Sequence, residues 1–143
     1  MSIPVKKING NKTFTKDIEV DYSTKWQNEH WRAIQSSYAS APYFDDYGYR
    51  IKEIIYHNPK DLLEFNLSIL KFIMEILDLS FDINITKSYE IEYNIDYRNT
   101  DFMNRDTMKP YQQVFSYDKD FTSNLSFLDL LFNEGPFMRN WIL

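Results

Sequence analysis

Cysteine is absent from the 143 residues, which removes disulfides, thiolate nucleophiles and cysteine-ligated zinc or iron–sulfur centres together. Glycine occurs three times, at Gly10, Gly48 and Gly135, too far apart for a phosphate-binding P-loop or a dinucleotide fingerprint. Histidine is nearly as scarce. With His30 and His57 as the whole supply, a metal centre built on several imidazoles lacks ligands, and no metal or other cofactor is expected. Positive charge is in the minority, 16 Lys and Arg against 21 Asp and Glu, for a net charge of −5. The basic residues are scattered, so binding to a nucleic-acid backbone is excluded as a main role. No apolar run of the secretory type opens the chain. The most apolar stretch, Leu62 to Leu77, is too short for a bilayer span and contains Glu64, Asn66, Lys71 and Glu75. These absences predict a cytoplasmic chain without a membrane span.

What the chain has in quantity is aromatic carbon, 11 Phe, 11 Tyr and 3 Trp within a 43% apolar composition. A chain of this size buries roughly 68–70% of its unfolded surface on folding, enough for a core of its own. One domain over residues 1–143 is expected.

Apolar periodicity sets the expected elements. Ser2 to Val5 is β-prone, Asn9-Gly10-Asn11-Lys12 is a turn cluster, and Ile18 to Tyr22 alternates as a half-buried strand does, which predicts a hairpin. A strand placed so close to Met1 leaves an edge for pairing, so a second copy or a partner chain is expected at the N-terminal strand. Thr24 and Gln27 fit a capping box at the start of a helix reaching about Ala39. On that helix Trp26 and His30 share one face, beside the line Trp31, Ile34, Tyr38. A second helix carries Phe44, Tyr47, Ile51 and Ile54 and ends at Asn58-Pro59; a third starts at Asp61. The third is apolar around most of its girdle, which predicts a central helix at 62–77. Phe81 to Ile85 and Tyr89 to Tyr97 read as strands, the second by strict alternation of Tyr89, Ile91, Tyr93, Ile95 and Tyr97 with polar residues. A polar loop over 98–120 leads to a last helix over Leu125 to Asn133, capped by Ser123 or Asn124 and stopped by Gly135-Pro136. The expected class is α+β, predominantly helical, with short antiparallel strands packed beside the central helix.

Few side chains carry recognisable chemistry. His30 reads either as a general acid or base, since imidazole titrates near neutrality, or as a histidine packed on Trp26. His57, at a helix end, and Asp45-Asp46, in a first turn where acids are favoured, read as structural. Asp96 and Arg98 share one face of an extended segment and could pair with each other or clamp an anion. Tyr111, Gln112 and Gln113 could hydrogen-bond a sugar or a peptide, or satisfy loop backbone.

Several stretches in order resemble the WbqC-like proteins, a bacterial family associated with O-antigen and other surface polysaccharide gene clusters. The specific pieces are Trp26 followed by His30-Trp31, and the segment Asn124-Leu125-Ser126-Phe127 through Phe132-Asn133-Glu134-Gly135-Pro136. Weaker pieces are Ser2 to Val5, Asp21 to Thr24, Ala41 to Phe44, Phe65-Asn66-Leu67, Asp96-Tyr97-Arg98 and Tyr111 to Phe115. The form is similar to that of Bacteroidetes-type bacteria. Family members usually begin with a further part, so the resemblance implies that this chain corresponds to a C-terminal portion. It also implies transfer chemistry on an amino sugar or nucleotide sugar. His30 would act as general base with Asp21 beside it, Trp26 would stack on a ring, and Arg98 would hold an acidic or phosphate group. The competing expectation is a non-catalytic interaction or scaffold module that uses its aromatic surface. A cleft bringing His30, Trp26 and Arg98 within one ligand's reach favours the enzyme, and a flat exposed patch of aromatic rings favours the module.

Overall fold

Apolar side chains recurring every three or four residues produce three successive helices, α1 over Trp26–Tyr38, α2 over Phe44–Tyr56 and α3 over Leu62–Ile76. The structure is a computed structural model that describes residues 1–6, 13–89, 91–98, 100, 109–116 and 120–142. Near the C-terminus α4 covers Phe127–Glu134, a 3-10 turn covers Gly135–Met138, and α5 covers Arg139–Ile142. No helix among the described residues is long and apolar enough to cross a membrane.

Helix ends depart from the expected local signals because tertiary partners compete for the same groups. The capping box of α1 does not form: Lys25 is the N-cap, with no side-chain cap bond. Gln27 instead donates from Nε2 to the Ile55 carbonyl at 2.6 Å and to Asn58 Oδ1 at 2.9 Å. The last carbonyls of α2 lack intrahelical donors, so this bond satisfies α2 and ties α1 across its end. Asn58 then leaves α2 with φ 56°, the left-handed conformation that terminates helices. At α4 the N-cap is Ser126, two or three residues beyond the expected Asn124 or Ser123.

The core is centred on α4. Leu131, Phe132 and Met138 are fully enclosed. The Phe132 ring lies 5.2 Å from Tyr38 at the end of α1 and 5.1 Å from Phe44 at the start of α2. Its carbonyl accepts the Tyr43 N–H at 3.0 Å, so backbone and ring together fill the α1–α2 corner. The expectation of a central apolar helix at 62–77 is corrected. The helix forms there, but Phe65 and Phe72 are its buried residues, two turns apart on one stripe, and Leu70 is 37% exposed. Packing covers that one stripe, and the remaining apolar girdle is half-buried.

The α+β class is likewise corrected to a helical one among the described residues. β pairing there is limited to two isolated antiparallel bridges, Val5 with Val20 and Glu19 with Asp61. Residues 18–21 lie between two neighbours: Lys6 N–H bonds the Glu19 carbonyl and Asp21 N–H the Pro4 carbonyl, each at 2.9 Å. On the other side Val20 N–H bonds the Lys60 carbonyl and Leu62 N–H the Ile18 carbonyl, also at 2.9 Å. The pairing cannot lengthen, because a 3-10 turn at Thr15–Asp17 precedes it and α1 and α3 start just beyond it. The short antiparallel strands expected at 81–85 and 89–97 do not form among the described residues either. An isolated extended segment needs a neighbouring ladder, and none is present among the described residues.

Two substitutions test this arrangement by urea unfolding. Phe132→Ala is expected to cost about 3–5 kcal/mol, as enclosed rings do, whereas an unchanged midpoint would remove α4 from the centre. Gly135 has φ 52°, and a Cβ there would lie 2.5 Å from the Tyr43 ring. Gly135→Ala should therefore destabilise by more than ~1 kcal/mol.

Candidate functional site

On α1 the four-residue spacing stacks His30 one turn beyond Trp26, with ring centroids 5.1 Å apart and planes at 63°. Trp26 is buried and also meets Tyr22 at 5.9 Å and Phe65 at 6.0 Å, so it forms a wall behind the imidazole. Its indole Nε1 has no hydrogen-bond partner among the described residues. His30 is half-buried and lines a cleft of about 260 Å³ whose walls come from α1, α2, α3 and α4, including Ile34, Ile51, Phe65, Phe72 and Leu128. His30 and Ser126 are the polar side chains in that lining. Burial lowers the His30 pKa, helped by the positive α-amino group and opposed by a bond to the Ser2 backbone and by Glu29. The imidazole is thus neutral at pH 7 and presents a basic nitrogen at an apolar surface.

The other expected site residues are distributed elsewhere. Asp21 accepts the Ser23 N–H at 2.8 Å, a turn that leads into α1, and this bond holds its carboxyl below the usual range. No hydrogen bond joins Asp21 to His30. Arg98 is occupied by Asp96, with Nε 2.9 Å from both carboxylate oxygens, which pulls the Asp96 pKa down to about 2. The guanidinium also lies over the Tyr89 ring at 5.1 Å and the Tyr93 ring at 5.0 Å, and bonds the Ile91 carbonyl at 3.2 Å. Tyr89 and residues 91–98 therefore gather around Arg98, which does not line the His30 cleft.

Tyr111 and Gln113 are brought together on a residue that sequence reasoning had not singled out. Asp129 of α4 is fully buried, and its Oδ2 accepts the Tyr111 hydroxyl at 2.6 Å and Gln113 Nε2 at 3.2 Å. Gln113 also pairs with the Thr122 backbone, donating to its carbonyl at 2.9 Å and accepting its N–H at 3.0 Å. Burial, then the bond to Asp129, raises the Tyr111 pKa strongly. Tyr38 is raised for the same first reason, followed by the Asp129 charge. Gln112 faces outward and bonds Ser116 Oγ at 3.2 Å. The signal for Asp129 was a lone carboxylate inside the apolar run Leu128-Asp129-Leu130-Leu131-Phe132. His57 and Asp45-Asp46 are exposed, and no group of three His, Asp or Glu among the described residues could hold a metal.

Residues 1–101 match the family model of the WbqC-like protein family. Tyr111 to Phe115 and Asn124 to Pro136 lie beyond the matched region. No curated protein and no solved structure matches the chain.

Two measurements check the site. Because the folded-state pKa of His30 lies below the unfolded value of ~6.5, the unfolded chain binds the proton first as pH falls. Stability should decline as pH drops through ~6.5 toward the folded value, and His30→Gln should remove that component from urea melts between about pH 7.5 and 5. Tyr111→Phe takes one of two donors from a buried carboxylate and should cost about 1–3 kcal/mol; a loss near zero would show that Asp129 does not depend on it.

Proposed function

This chain belongs to the WbqC-like protein family, and we propose that it takes part in O-antigen or other surface polysaccharide assembly, through transfer chemistry on an amino sugar or nucleotide sugar. One observation carries the catalytic part: His30, its pKa lowered by burial, lines a cleft in which Ser126 is the other polar side chain. In a transfer reaction the attacking amine or hydroxyl must lose its proton as the new bond forms, and the leaving group departs with its electron pair. A neutral imidazole beside the attacking atom takes that proton. Trp26 is a positioning residue in this reading, holding the imidazole edge-on, and Asp21 shapes the turn from which α1 starts. Neither Trp26 nor Arg98 lines the cleft, so a platform for a sugar ring and an anion clamp are not part of the same site.

A second reading, a non-catalytic interaction module, is supported by the exposed side chains of 89–97. Tyr89 is 73%, Ile91 81%, Ile95 73% and Tyr97 65% exposed, a run of apolar surface beyond what single surface residues explain. An oligomer or a partner chain belongs to this reading.

The two are separated by replacing the gene in its bacterium with the His30→Gln form. Under the catalytic reading surface polysaccharide falls by about 10²-fold or more, the usual effect of losing a general base, while protein level and thermal midpoint near neutral pH are retained. Unchanged polysaccharide would sink that reading. An Ile91→Asp, Ile95→Asp double variant with the same loss, beside an active His30→Gln form, would establish the module instead.

A further inference from the structure

A second cleft, of about 390 Å³, lies between the Thr15–Asp17 turn, Leu63 of α3 and segment 85–89. We infer that this cleft binds a nucleoside diphosphate group, with Lys16 and Lys87 on the phosphates and the Phe14 and Tyr89 rings flanking the base. The inference goes beyond the transfer reading and does not depend on it, since the two clefts share no lining residue.

Three features converge. First, charge: in a chain of net charge −5, this lining contains two lysines and no carboxylate. Neither Lys16 nor Lys87 forms an ion pair among the described residues, whereas Lys6 and Lys60 both bind Glu19. Two ammonium groups left to solvent at one cleft create a local positive potential that suits a group of two linked phosphates. Second, aromatic surface: Phe14 is 65% and Tyr89 73% exposed at the same cleft. Exposed rings are sequence-tolerant stacking surfaces for a nucleobase, and the Arg98 guanidinium over Tyr89 steadies that ring. Third, size and polarity: the volume falls in the usual small-molecule range of about 300–1,000 Å³, and the hydroxyls of Thr15 and Thr86 add hydrogen-bonding groups beside the lysines. A bare phosphate would use the lysines and leave the rings idle, and an apolar ligand would use the rings and strand the lysines. A nucleoside diphosphate uses both. The cleft is sized for one nucleotide, and the chain's net charge of −5 opposes a polynucleotide.

The test is calorimetric titration of the full chain with UDP and with ADP, and with pyrophosphate for comparison. The expected result is saturable binding of at least one nucleotide, tighter than pyrophosphate and weakened by added salt. A Lys16→Gln, Lys87→Gln double variant should lose at least ~10-fold in affinity. Tyr89→Ala should lose ~5-fold or more for the nucleotide and little for pyrophosphate. His30→Gln should bind as the parent does, which keeps this outcome distinguishable from failure of the catalytic reading. Lys16, Lys87 and Tyr89 are exposed, and unchanged circular dichroism melts near neutral pH serve as the folding control. Absence of binding by both nucleotides overturns the inference, as does nucleotide binding that both the lysine pair and Tyr89 variants leave intact. Pyrophosphate binding as tightly as the nucleotides would overturn the assignment of Phe14 and Tyr89 to a base.

Discussion

The carboxylate of Asp129 is enclosed within α4, beside the buried Leu130, Leu131 and Phe132, and the packing of the C-terminal part follows from which donors reach it. Taking a carboxylate out of water costs several kcal/mol unless donors replace the lost hydration. Tyr111 and Gln113 supply donors to Oδ2 from a loop segment with no helix or strand among its described residues, while Oδ1 is buried with no hydrogen-bond partner among the described residues. Gln113 then binds both backbone groups of Thr122 and so clamps the two arms of that loop together. The loop is held against α4 by polar bonds, and in that position Tyr111 stacks edge-on with Phe121 and Trp141. An apolar residue at 129 would fill space but would give the loop no register, which is the usual argument for a buried polar group.

With α4 at the centre, α3 takes a different role from the one its composition suggests. Leu63 lines the lysine-bearing cleft, while Phe65, Ile69, Phe72 and Ile73 line the cleft of His30. A helix apolar on several faces can be covered by protein on all of them, or it can stand as a wall between two cavities. The second holds here, and it accounts for apolar side chains that are half-buried instead of enclosed. The two clefts place a neutral base and a pair of cations on separate faces of one helix.

Segment 89–98 shows how one side chain can redirect a clear pattern. Alternation of Tyr89, Ile91, Tyr93, Ile95 and Tyr97 is the strongest strand signal in the chain. Arg98 bonds Asp96 and the Ile91 carbonyl and lies over two of the rings, which provides local contacts that an unpaired strand lacks. Alternation marks which side chains could share a face. A strand further requires a neighbour to receive its hydrogen bonds, and that neighbour is a property of the assembled fold.

The sequence by itself determined the positions of the helices, each within about two residues at most ends, because the spacing of apolar side chains is a local consequence of 3.6 residues per turn. It likewise determined the contact of Trp26 with His30, which four-residue spacing enforces on any helix, and the family to which the chain belongs. Tertiary structure alone decided which helix is enclosed, since burial depends on what packs against a surface as well as on its composition. It also decided that Gln27 bridges to α2 instead of capping α1, and that Tyr111 and Gln113 turn inward to Asp129. Those outcomes are competitions between partners distant in sequence, settled by which donor reaches which acceptor once the helices are packed.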